Sequence, residues 1–473
     1  MPVRDAALLL LGHGSTLNAD SSAPTYRHAE EIRRRGVFAE VHVAFWKEEP
    51  NFRQALRLVS RRRVYAVPNF ISSGYFTEQI IPRELGLDGP ITRREGHEIY
   101  YCEPVGLHPS MTEALLRRAN EVVAASAETI REPEKTACLL ICGHGTSLND
   151  NSTKIIHEQA AVIRARGLFA DCRAVLMEQS PFVKDWRVLT ACPNVIVVPF
   201  FIADGLHSFE DIPVLLGLTH NVKERGFANP HRENGRRLWY AMAIGTEAFL
   251  ADVILAQVQR FEEQHPGISG APESSEPARA MEDQLARFFE QSLPPWIIGE
   301  VLIQPGFQLR HRKDHDLGPA KLQRVNSIAE LREWILLDPG GNFRPLRTAP
   351  NLRPGWVYHA GDLAAVHLAL DYLYPAALAN WELWQRGRLV STPWPETAGR
   401  QTGRFRIVRE IGDYALNELV AQHCQPGCLK RRLWFPAAST AGENPSEIPL
   451  LCPEACNFLV AQAREKLKGS EEE

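Results

Sequence analysis

Two histidine motifs and four cysteines are the residues in this chain whose types and spacing can do chemistry. His144 lies in Gly143-His144-Gly145-Thr146, after the apolar run Ala137–Cys142. His207 lies in Gly205-Leu206-His207-Ser208-Phe209-Glu210-Asp211-Ile212-Pro213, after Val195–Phe201. Glycines flanking a histidine let the backbone turn sharply and leave room beside it. A strand ending in such a turn presents the imidazole at the rim of its sheet. A lone Gly-His-Gly turn reads as packing, but a second histidine expected at the same rim changes that. Two imidazoles with carboxylates nearby bind a divalent transition metal, and they accept protons near neutral pH. Glu210 is a candidate to orient His207 or relay protons, against the plain reading of a solvated first-turn residue. Glu178 is a second candidate. The cysteines form two pairs, Cys424-x3-Cys428 and Cys452-x3-Cys456. Four thiolates hold an iron–sulfur cluster or a structural zinc, and zinc sites more often space their cysteines by two residues.

The elements that position the histidines repeat. Gly12-His13-Gly14-Ser15 returns as Gly143-His144-Gly145-Thr146, an offset of 131. The same offset relates Leu17-Asn18 to Leu148-Asn149, Arg35-Gly36 to Arg166-Gly167, Pro50 to Pro181, Pro68 to Pro199, Gly74 to Gly205 and Pro82 to Pro213. One offset held through so many Gly and Pro positions marks a duplicated domain. The first copy has Phe76 where the second has His207, and Gln79 where it has Glu210. That asymmetry predicts one active site, in the second copy, with His13 as a remnant or substrate contact.

Each copy alternates apolar strand runs with helical spacing, which implies a parallel sheet covered on both faces and ligands beyond the carboxyl ends of its strands. In the second copy strands are predicted at 137–142, 171–177, 195–201 and 238–244, and helices at 153–166, 181–189, 208–216 and 247–263. A stretch rich in Pro, Gly, Ser and Glu follows near residue 265 and reads as a linker. Seven of the ten tryptophans lie beyond it, and the alternation stops. A strand is expected at 300–309 and helices at 327–337, 360–386 and 414–423. The predicted organisation is thus a first α/β lobe over 1–132, a second over 133–264, a linker over 265–280, and an α+β domain over 281–473 that contains the four cysteines.

The chain has 53 Lys plus Arg against 57 Asp plus Glu, a net charge of -4, and 44% hydrophobic residues. The composition is globular, and the basic excess of a general nucleic-acid binder is missing. The apolar run Ala6–Leu11 is too short for a membrane span or a signal-peptide core. The expectation is a cytoplasmic protein without nucleic-acid or membrane partners. Cys102, Cys138, Cys142, Cys172 and Cys192 then read as small buried hydrophobes, and disulfides do not belong in that compartment.

The duplicated Gly-His-Gly-Ser/Thr…Leu-Asn…Arg-Gly…Pro pattern, with Gly-x-His-x-x-x-Asp-Ile-Pro, resembles the sirohydrochlorin cobaltochelatases among the class II tetrapyrrole chelatases, over roughly residues 5–262. The resemblance implies two tandem flavodoxin-like lobes with a cleft between them. It implies insertion of Co2+ into sirohydrochlorin for cobalamin, with Fe2+ for sirohaem as the alternative reaction. His144 and His207 match the family's metal-handling histidines and are assigned as metal ligands and proton acceptors. Some members carry a 4Fe-4S cluster in an appended region, so Cys424, Cys428, Cys452 and Cys456 are assigned to such a cluster, with structural zinc second. A non-catalytic metal or tetrapyrrole carrier is the competing class of function. Softness and coordination do not separate Co2+ from Fe2+ or Ni2+ at histidines. A duplicated chain can build its cleft as a monomer.

Overall fold

A computed structural model describes residues 3–15, 21–145, 151–205, 207–220, 227–267, 281–336, 352–425, 428–435 and 444–469. Most of the expected linker, and the acidic end of the chain, lie outside the described residues. Contacts divide the chain into two units: Met1–His13, Asp20–Val43 and Arg61–Ser274 in one, Gly14–Ala19, Ala44–Ser60 and Ser275–Glu473 in the other.

The class is α/β in each repeat. The first builds β1 (Val3–Gly12), β2 (Phe38–Phe45), β3 (Arg63–Pro68), β4 (Ile91–Arg94) and β5 (His97–Tyr101), in the order β2-β1-β3-β5-β4. The second builds β6 (Ala137–Gly143), β7 (Asp171–Leu176), β8 (Asn194–Pro199), β9 (His231–Glu233) and β10 (Arg236–Tyr240), in the matching order β7-β6-β8-β10-β9. The pairings β1–β3, β3–β5, β6–β7, β6–β8 and β8–β10 are parallel, while β4 and β9 are antiparallel edges. Apolar runs make the central strands: Ala6–Leu11 and Ala137–Cys142 are fully buried, as strands covered on both faces require. The antiparallel edges were not predicted. They arise at Glu95-Gly96 and Asn234-Gly235, where all four residues take positive φ, the backbone of a two-residue hairpin turn. The helix expected over 181–189 is one 3-10 turn, Val183–Asp185, and a short helix, Trp186–Leu189.

The last helices of the two repeats are exchanged. Met111–Ala125 closes the first repeat in sequence, yet packs on β8, β10 and the helix Asn151–Ala165 of the second. Leu250–Gln264 closes the second repeat and packs on β3 and on the helix Ala23–Arg35 of the first, with Phe261 against Tyr100. Polar ties cross at the same places. Gln257 donates to the Pro104 carbonyl at 2.6 Å, Arg118 to Thr246 at 3.0 Å and Trp239 to Ser126 at 2.9 Å.

His28 donates from Nε2 to the Gly245 carbonyl at 2.8 Å. Burial lowers its pKa from 6.5 to about 4, against the raising effect of that hydrogen bond. The unfolded chain therefore binds the proton first, so this stabilisation is complete above pH 6.5 and is lost as pH falls toward 4. The full difference corresponds to about 3 kcal/mol. The unfolding midpoint of the wild type is expected to drop across that window relative to His28→Gln, compared by calorimetry at pH 7 and 4.5.

Among the described residues the C-terminal part gathers around two hydrophobic cores. The first surrounds a six-stranded sheet, with Trp296, Ile303, Leu309, Trp356 and Tyr374 inside. The strand expected over 300–309 is a hairpin of Val301–Gln304 and Gln308–His311, because Gly306 at φ 81 turns the chain. The helix expected over 360–386 is likewise two, Leu363–Leu373 and Ala377–Gln385. The second core gathers Trp394, Val408, Leu416, Leu419, Trp434, Cys452 and Leu459 between the helices Asp413–His423 and Asn457–Gly469. Most tryptophans beyond residue 280 are core residues, as expected.

Candidate active site and cysteine site

His144 follows the last residue of β6, at the carboxyl edge of the sheet. Its carbonyl accepts the N–H groups of Met177 and Glu178 at 3.1 and 3.0 Å, which fixes the turn against the end of β7. Gly145 has φ +71, and a Cβ there would lie 3.0 Å from Leu176 Cβ. A side chain at this position meets both strain and crowding. The His144 ring is left accessible, with its side chain 35% exposed, and Nε2 lies 3.7 Å from a Glu178 carboxylate oxygen.

His207 opens a five-residue π-helix, His207–Asp211, that runs into the short helix Ile212–Leu216. Pro213 has no N–H to give the Phe209 carbonyl four residues earlier, and its ring crowds that oxygen. The first repeat does the same at Phe76–Ile80 ahead of Pro82. The wide turn aims His207 back at His144. The two rings lie 4.8 Å apart between centroids at 78°. In the first repeat the His13 ring meets Phe76 at 4.9 Å and 84°. The duplicated frame is thus preserved, with a second imidazole in only one copy.

The carboxylate on His207 is Asp211, which sequence reasoning passed over. Its Oδ2 lies 2.6 Å from His207 Nδ1. Where the carboxylate accepts from Nδ1–H, a neutral ring keeps the Nε2 lone pair for a ligand. Such a partner fixes ring orientation and raises ligand basicity. The i, i+4 spacing within Gly-x-His-x-x-x-Asp held the signal. Glu210 makes no hydrogen bond or ion pair with His207 among the described residues, and Glu178 stands nearer His144. Asp211→Ala is expected to weaken metal handling about 10–100-fold, read as the metal KM, with Asp211→Asn restoring part of it.

Two imidazoles are a sparse ligand set. Among the described residues no group of three or more His, Cys, Asp and Glu side chains gathers for a metal.

The four C-terminal cysteines are free thiols, and Cys424 and Cys452 each feel the charge of Cys456 and Cys428. Cys452 belongs to the second C-terminal core, Cys424 and Cys456 pack against it, and Cys428 packs against the first. Burial, then the neighbouring Cys456 and Cys428, push the Cys424 thiol up to about 12. Burial likewise raises Cys452, against the lowering effect of Lys430. Such thiols ionise when a bound cation compensates the charge. Four soft donors of this kind fit an iron–sulfur cluster.

Comparison with known proteins follows the divisions of the chain. The CbiX family model matches residues 7–122 and again 138–261. The chain belongs to the CbiX family. Further along, a "DR2241 stabilising domain" model matches 283–385 and a "4Fe-4S iron-sulfur cluster binding domain" model matches 386–465. A probable sirohydrochlorin cobaltochelatase of Halobacterium salinarum is 43% identical over 266 residues, 53% of this chain and 89% of that protein. A sirohydrochlorin cobaltochelatase of Methanocaldococcus jannaschii is 32% identical over 139 residues, 24% of this chain and 96% of that protein. The crystal structure of DR2241 from Deinococcus radiodurans, described as a multi-domain protein similar to chelatases with two additional novel domains, superposes with a TM-score of 0.82. It is 30% identical and covers 98% of this chain and 99% of that one. Among the described residues no helix is long and apolar enough to cross a membrane.

Proposed function

We propose that this CbiX-family metal chelatase inserts Co2+ into sirohydrochlorin in cobalamin biosynthesis, with His144 and His207 as its metal-handling pair. The observation that carries the reading is the pair itself, two facing imidazoles at the carboxyl edge of a parallel sheet, one of them held by Asp211. Insertion strips water from the metal and removes two pyrrole protons. Neutral imidazole serves both ends of that exchange, holding the metal through a ring nitrogen and taking a proton once the metal has moved on. Asp211 stabilises the imidazolium that results. Half-exposed rings allow a large macrocycle to approach, and no nucleotide is required. Cobalt is preferred over iron because the relatives named above are cobaltochelatases. Cys424, Cys428, Cys452 and Cys456 would hold the 4Fe-4S cluster. Insertion itself transfers no electrons, so the cluster is assigned no step in it.

The test is anaerobic insertion followed by absorbance, with Co2+ and Fe2+ in parallel and substrate in large excess. Many turnovers per chain, faster with Co2+, are expected. A single stoichiometric binding event would make the protein a carrier, and faster Fe2+ insertion would move it to sirohaem.

A further inference from the structure

The segment Ala44–Ser60 runs from the last two residues of β2 toward β3 of the first repeat, yet belongs to the same compact unit as Ser275–Glu473. Residues beside the cysteines hold it there. Lys430, two positions after Cys428, donates to Glu49 at 2.8 Å, with side chains only 4% and 9% exposed. Glu454, inside Cys452-x3-Cys456, accepts from Asn51 Nδ2 at 2.6 Å and from Arg53 Nε at 2.8 Å. Asn457, next to Cys456, donates to the Trp46 carbonyl at 3.1 Å. The Cys452 thiol itself points to the Glu454 carbonyl at 2.9 Å. The far side of the segment reaches the first Gly-His-Gly turn, where the Ser15 N–H donates to Glu48 Oε1 at 2.7 Å. Gly14 lies so close that a Cβ would stand 3.0 Å from Glu48 Cγ.

We propose that the four-cysteine site is a latch on the chelatase repeat: an assembled cluster fixes the cysteine loops, and through Lys430, Glu454 and Asn457 it fixes Trp46–Arg53 and the Gly14-Ser15 turn after His13. The proposal rests on the reading that the four cysteines carry a cluster. Its physical basis is the cost of leaving a buried charge alone. Lys430 cannot leave Glu49, nor Glu454 leave Arg53, unless water enters, so displacement of a cysteine loop carries the segment with it. Without the cluster these loops lose the cross-link that four thiolates on one centre would provide, and the segment opens more often. An event that destroys the cluster would thus reach the repeat mechanically, with no electron passed to a substrate.

The test compares cluster-loaded full-length protein with protein stripped by chelator and ferricyanide, by hydrogen exchange, with iron and sulfide assayed on the same samples. Stripping is expected to speed exchange of Trp46–Arg53 at least about tenfold while β6 stays protected. Glu49→Gln and Glu454→Gln are expected to speed it in the loaded protein with iron and sulfide retained. Unchanged exchange of this segment on stripping would overturn the latch and leave the cluster standing. Absence of iron and sulfide from anaerobically prepared protein would overturn both.

Discussion

Replacing either His144 or His207 with alanine is expected to lower kcat/KM for Co2+ insertion by about 10²–10⁴-fold, the range lost when a positioned acid–base group is removed. The two losses should not add, because the second ring has little to do once its partner is gone. The fold should survive. His144 and His207 have side chains 35% and 48% exposed, so truncation opens no sealed cavity and unfolding midpoints should stay near the wild type. His13→Ala is the internal comparison, since its ring faces Phe76 rather than a second imidazole, and its loss should be much smaller. Steady-state rates with Co2+ varied at saturating sirohydrochlorin would check this. Full activity in both His144→Ala and His207→Ala would place the chemistry elsewhere.

Cys452→Ser is expected to abolish cluster iron and sulfide and to loosen the second C-terminal core. Cys452 is 8% exposed and sits among Trp434, Leu459 and Val460. A serine there keeps the size and removes the soft donor that iron requires. Because binding to a site absent from the unfolded chain is also folding free energy, the loss should appear twice, as missing visible absorbance and as a lower unfolding midpoint in the 386–465 region. Cys192→Ser, at a partly buried cysteine of the second repeat, should change neither. Retained iron and sulfide in Cys452→Ser would remove this residue from the ligand set.

The parallel strands and the duplication were legible because burial on both faces writes itself as an unbroken apolar run, and because Gly and Pro hold their offset. The placement of His144 and His207 at one sheet edge was legible for the same reason, since each follows such a run. Asp211 was equally readable by its i, i+4 spacing from His207, with Glu210 beside it as the competing carboxylate. The turns at Asn234-Gly235 and Gly306 also had local signatures that were passed over. Other features have no local signature at all. Lys430 and Glu49 are 381 residues apart, and nothing near either one names the other. The exchange of the terminal helices is hidden for a related reason: periodicity tells which face of a helix is apolar, not which sheet receives it.

That exchange governs how the chelatase half can be cut and assembled. A chain ending after the first repeat would lack Leu250–Gln264, leaving Tyr100 and the neighbouring face of its sheet exposed to water, while its own helix Met111–Ala125 would have no sheet to cover. Each half is the other's missing part. Expressed separately, the halves should be insoluble or partly folded, and mixed they should recover a common core. A gene encoding a single repeat of this design would yield a stable product only as a pair of identical chains trading the same helix, and fusing two such genes would make that pairing permanent. Once joined, one copy is released from keeping every residue the site needs, and Phe76, where the other repeat has His207, is what such a release leaves behind.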